Sequence, residues 1–139
     1  MMYINLYYLI YDWKNGNVMN MKYFHIHVYF EEKDINHAYV LLDKATAIGL
    51  FEVVRFQEKP VGPHPTAMVE MHFKESCYSQ VLEWIKINRG TLTAMIHQDT
   101  GDDFKDHTDN IQWLGEKRPL DFSFFELILK RPELRINPE

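Results

Sequence analysis

The chain has one cysteine, Cys77, in 139 residues. An intrachain disulfide is excluded, and a structural zinc site built on thiolates is disfavoured. Nor is there a basic block or stripe: 15 Lys and Arg face 20 Asp and Glu, for a formal charge of −5. That balance speaks against nucleic acid and against an anionic membrane as partners. No apolar run is long enough to cross a bilayer, which takes about 20 residues; the run within MMYINLYYLIYDW holds about ten. The same segment lacks the charged start and small-residue cleavage site of a secretory signal. Together with the lone cysteine, this points to the cytoplasm, and Cys77 itself reads as structural.

What is present is a globular composition, 46% apolar, 25% charged and 14% aromatic. Disorder is disfavoured and one domain is expected. Residues 1–20 read as an N-terminal extension, either an added strand or an upstream start. Residues 21–139 read as a single domain with a C-terminal tail.

The pattern of that domain is legible. YFHIHVYF (Tyr23–Phe30) alternates, with Phe24, Ile26, Val28 and Phe30 on one face and Tyr23, His25, His27 and Tyr29 on the other. Asp34 stands where a cap is expected. Ala38, Leu41, Leu42, Ala45 and Ile48 stripe a helix that Gly49 stops. Leu50–Glu58 reads as a strand, and residues 59–65, KPVGPHP, as a proline-broken connection. Ala67–Phe73 is a third strand. Ser76–Arg89 is a second helix with Val81, Leu82 and Ile85 inward, ended by Gly90. Thr91–His97 is a fourth strand. An acidic loop (Asp99–Asp106), a short helix ending at Trp113-Leu114-Gly115 and a Phe-rich segment follow. The order β-α-β-β-α-β predicts an α+β, ferredoxin-like fold, a four-stranded antiparallel sheet with two helices on one face. Its other face stays open unless a partner or the tail covers it.

Parity then sorts the strands. With the apolar residues toward the helices, His25, His27 and Tyr29 share the opposite face with Met68, Glu70 and His72, and with Thr93, Met95 and His97. His64, set between Pro63 and Pro65, has little backbone freedom, which suits a preorganised ligand. His107 follows Asp106, a carboxylate able to orient it. Taken singly, each histidine is more simply a hydrogen-bonded structural residue, and His37 on the first helix reads as solvated. Asp99–Asp109 lacks the ligand order of a calcium loop and reads as a helix-capping, solvated stretch. Gathered from several strands and one rigid loop, the histidines are the materials of a non-haem metal site for Fe, Zn, Cu or Ni.

Four motifs occur in order: HIHVYF, KPVGPHP, and then the MIHQDTGD and DHTDNIQWLG portions of MIHQDTGDDFKDHTDNIQWLG. Together, from about Tyr23 to Asp121, they resemble the DOPA 4,5-dioxygenase-like family. Gln98 stands where that pattern usually has proline, and Glu70 and His72 fall outside it. The resemblance implies an often dimeric ferredoxin-like subunit and extradiol cleavage of a catechol by O₂. It places His25 and His27 in its H-x-H, His64 in its G-P-H-P, His97 at the end of strand four and His107 in its D-H. On that footing His27, His64 and His97 are expected to bind the metal, Fe(II) first and Zn or another divalent ion second. His25 is a fourth ligand or an acid–base residue, and His107 a second-sphere or acid–base residue. Tyr29 and Arg55 are expected to touch substrate, and a homodimer is implied. The competing expectation is a cofactor-free ferredoxin-like dimer that binds a small aromatic ligand on an open face carrying Tyr29, Met68 and Met95.

Overall fold

The computed structural model describes residues 9–12 and 17–131, with side chains from Met21 onward. Within the N-terminal extension, strands Leu9–Asp12 (β1) and Asn17–Asn20 (β2) pair antiparallel, Leu9 opposite Asn20. The rest of that extension lies outside the described residues, as does the chain beyond residue 131.

Tyr23–Phe30 (β3) takes the centre of the main sheet because both of its faces are suited to burial. From His27 to Phe30 every residue is buried. Helix α1 (Ile35–Ile48) follows, and Gly49 stops it at φ +76°, a conformation that costs glycine nothing. Then come β4 (Val53–Gln57), β5 (Ala67–Lys74), α2 (Tyr78–Asn88) and β6 (Ala94–Asp99). A one-turn helix α3 (Asp103–Asp106), a short strand β7 (Gln112–Leu114) and helix α4 (Ser123–Lys130) complete the described chain. The sheet runs β4-β5-β3-β6-β7, antiparallel throughout. Its first four positions are those of the ferredoxin-like order.

The fifth strand corrects the expectation of four. Trp113 and Leu114 do not close a helix; Trp113 pairs with Met95 and Leu114 with Ala94. Ile111 and Trp113 pack on one side of the sheet and Leu114 on the other. That alternation has the period of a strand, not of a helix. Other boundaries move less. β4 is shorter than Leu50–Glu58, and β6 begins only at Ala94, although Thr93 still accepts a hydrogen bond from the Tyr29 backbone N–H at 2.9 Å. Asp34 makes no side-chain cap, because a 3₁₀ turn over Glu32–Asp34 leads into α1. Ile48 is 47% exposed rather than part of the inward stripe. His37 is not simply solvated; its Nε2 lies 3.1 Å from the Asn88 carbonyl and ties α1 to the end of α2.

One face of the sheet meets α1 and α2 through Ile26, Val28, Phe30, Val69, Met71, Phe73, Ala94 and Ile96, packed on Leu41, Ala45, Val81 and Ile85. The opposite face is covered as well. Tyr29, Met68 and Met95 are buried under Val61, Ile111, Trp113 and Leu120. The expected open face is therefore closed by the chain's own loops and C-terminal segment, and a partner is not needed to bury it.

Candidate metal centre

Strand register puts the histidines side by side. His25 faces His72 of β5 and His97 of β6, and His27 faces Glu70 and Met95. His64 arrives from the loop before β5, where its N–H donates to the Val61 carbonyl at 3.1 Å. Gly62 makes that bend at φ +58°. His107 closes α3, whose first turn is capped by Asp102 accepting from the Lys105 N–H. All five, His25, His27, His64, His97 and His107, are buried and line one partly open cavity of about 90 Å³.

Their hydrogen bonds sort the two ring nitrogens. His97 Nδ1 lies 3.0 Å from the Gln98 carbonyl and His107 Nδ1 lies 2.6 Å from the Asp103 carbonyl. Carbonyls only accept, so both rings carry their proton on Nδ1 and leave Nε2 bare. His107 Nε2 is buried with no partner. His64 Nδ1 sits 2.7 Å from the Tyr29 hydroxyl, and that hydroxyl is 3.8 Å from Met95 Sδ. His27 Nδ1 is directed at Met68 Sδ (3.2 Å) and Glu70 Oε1 (3.7 Å), while its Nε2 lies 2.9 Å from His97 Nε2. With the outer nitrogens protonated, two lone pairs would face each other at that distance. A divalent cation between them would relieve that clash, and the grouped imidazoles could hold one. The donor set fits such an ion: neutral imidazoles anchored from behind.

The electrostatics agree. Burial, followed by the neighbouring histidines, pushes His27 and His97 well below the ordinary imidazole range. Burial brings His64 down to about 3 and lowers His107. All four stay neutral at physiological pH, which is the form that binds metal.

The expected ligands divide between two sets. His25, His27 and His97 bring their ligand atoms within 4.8 Å of one another, and so do His27, His64 and His107. A third set, His25, Glu70 and His72, meets the same distance but is a poor metal site. The His25 and His72 rings are stacked 3.7 Å apart and only 7° from parallel, so their in-plane lone pairs never converge. Arg55 also lies 3.8 Å from the Glu70 carboxylate as its cation. Burial raises the Glu70 pKa, yet His72, His25 and Arg55 together bring it below the usual range. Arg55 lines the cavity; Tyr29 stands behind His64 and does not.

Two carboxylates of Asp99–Asp109, expected to be a helix-capping, solvated stretch, are placed otherwise. Asp99 Oδ2 lies 3.2 Å from His25 Nε2. Asp106 is buried, accepts from the N–H and hydroxyl of Thr100, and is pushed by burial up to about 6. The signal for Asp99 was its place two residues after His97, on the same parity as the cluster. Asp106, marked by its place before His107, does not orient that ring; its carboxylate turns to Thr100, and the Asp103 carbonyl holds His107 Nδ1. The capping role was correct for Asp102.

Comparison with known proteins places these residues in a family. The model of the Dopa 4,5-dioxygenase family matches residues 24–124. A DOPA 4,5-dioxygenase of Amanita muscaria is 26% identical across 84% of this chain and 57% of its own. An uncharacterized 21.2 kDa protein of Botryotinia fuckeliana is 40% identical across 51% of this chain and 43% of its own. The chain thus spans about half the length of the curated relatives it matches. The crystal structure of a candidate dioxygenase from Nostoc punctiforme superposes with a TM-score of 0.69 at 31% identity, over 78% of this chain and 94% of that one. With its histidine motifs inside the matched region, the chain belongs to the Dopa 4,5-dioxygenase family.

Proposed function

We propose that this protein is a non-haem iron(II) dioxygenase that opens a catechol-type ring by the extradiol route. The observation that carries the reading is the set of buried, neutral imidazoles with Nδ1 anchored outward and Nε2 turned to one cavity. His27, His64 and His97 would hold the metal. Ferrous iron held there would supply the Lewis acidity that lowers the pKa of a catechol hydroxyl and the redox chemistry that O₂ requires. Both atoms of O₂ enter the product, so no outside reductant is needed.

The remaining steps belong to the side chains. His107, whose bare Nε2 faces the cavity without a partner, takes the second catechol proton. His25, held at Nε2 by Asp99, engages a carboxylate rather than turning that nitrogen to the cluster. It is therefore the acid–base residue that gives its own proton to the departing oxygen, balanced by the proton that His107 has taken up. Tyr29 fixes the ring of His64 from behind. Arg55, on the cavity wall, meets the polar end of the substrate. Burial of the cluster limits water and strengthens these interactions. A homodimer is retained as part of the proposal, to be read from the mass in solution.

Anaerobic purification, loading with Fe(II), and exposure to DOPA, caffeate and related catechols in air form the test. Stoichiometric iron and a yellow semialdehyde product are expected. Bound iron with no product from any catechol would leave the protein as a binding module. Full metal and activity in both His27→Ala and His97→Ala would remove the site.

A further inference from the structure

We propose that α4 supplies the specificity wall of the cavity: Phe124 and Phe125, beside His107 and the loop of His64, form an aromatic corner that seats the flat face of a substrate ring. The inference rests on the aromatic-substrate reading above. Both side chains line the cavity, and among the described residues they are its only aromatic lining rings other than imidazoles. Their centroids are 5.4 Å apart at 74°, edge to face. One ring therefore offers a face and the other an edge, the two contacts that a third aromatic ring prefers.

The corner is held from several sides. Phe124 lies on Gly62, where a Cβ would stand 3.5 Å from its ring. Phe125 is buried, 5.4 Å from Phe104 of α3 and 5.7 Å from His107. Asp121 pins the entry to α4: its N–H donates to the Pro63 carbonyl at 2.8 Å and its carboxylate accepts from the Ser123 N–H at 3.0 Å. The wall is thus tied to the loop of His64 and the helix of His107, so its distance from the metal ligands is set by the fold. The family match ends at residue 124, and most of α4 lies past it. The histidines lie within the match, and Phe124 is its last residue.

The test uses the iron-loaded full chain. 4-Nitrocatechol is titrated without O₂, its absorbance shift reporting binding, and KM and kcat are measured for DOPA and unsubstituted catechol. Phe124→Ala should weaken binding and raise KM about tenfold, the scale of a lost aromatic contact plus its buried area. Bound iron should stay stoichiometric and kcat should fall less than KM rises. Phe124→Tyr should restore binding, and Phe124→Leu, which keeps bulk without a ring, should not. Should Phe124→Ala fail to fold, the Tyr and Leu variants decide. Binding within twofold of wild type in Phe124→Leu overturns the inference while the catechol reading stands. A wild-type protein that holds iron but neither binds nor converts any catechol removes both.

Discussion

The two faces of one sheet are equally buried and chemically opposite. On the helix side, Ile26, Val28, Val69, Met71 and Ala94 are fully buried among other apolar groups. On the other side, alternate residues of the same strands, His27, Met68, Met95 and His97, are just as inaccessible but bury imidazoles that cannot carry charge there. The first face stabilises the fold by removing hydrocarbon from water, at about 25 cal/mol per Å². The second holds polar groups short of partners, a cost that a functional site tolerates and a packing layer does not. Ile26 and His27 are neighbours in sequence, and one pleat separates stability from chemistry.

The sharpest way to break this comparison is to mutate each neighbour. His27→Ala should lower metal affinity and activity by more than about a hundredfold, since even residues behind a ligand are worth 10–100-fold. Metal analysis of the folded variant, with an aerobic catechol assay, checks it.

Acid comes next, acting on the metal-free protein. His27, His64 and His97 have folded pKa values below their unfolded ones, so stability is lost as pH falls below about 6.5. Between pH 7.5 and 5.5 they should together cost a few kcal/mol, with His107 acting in the same direction. Asp106 has the opposite sign, because its raised pKa favours the folded state as it protonates near pH 6, and it should offset about 1 kcal/mol. Urea unfolding across that range should show a net loss of stability as the pH falls. Stability that stays flat would mean the histidines are not held neutral.

Ile26→Ala should destabilise by about 3 kcal/mol through the cavity it leaves, while the protein that remains folded keeps its full metal content. Equilibrium unfolding and metal analysis together separate this from the His27 result. The smallest effect is expected for Tyr29→Phe. It removes the hydroxyl behind His64 and should weaken metal binding about tenfold with little change in melting temperature.

Much of the fold was legible because period 2 and period 3.6 differ so clearly here. The alternation in YFHIHVYF foretold which side chains share a face, and Gly49 stopped α1 where expected. Trp113 and Leu114 misled because three residues are too few to show a period. Their strand exists through pairing with Met95 and Ala94, contacts distant in sequence. The burial of Asp106 and its turn to Thr100 rather than His107 were hidden for the same reason, since both depend on how the loop folds over the cavity. His37 looked solvated because its partner, the Asn88 carbonyl, lies on another helix.

The sequence by itself determined the alternation of the strands, the face that carries the histidines, and the rigid Pro-His-Pro loop, since these follow from local backbone geometry. Tertiary structure decided the rest: that the chain's own loops cover this face around a partly open cavity, that Nε2 atoms from β3 and β6 meet at 2.9 Å, and that Phe124 and Phe125 wall the cavity. The reason is physical. Parity assigns a side chain to a face, but only packing among elements distant in sequence sets how far it is from its neighbours and from water.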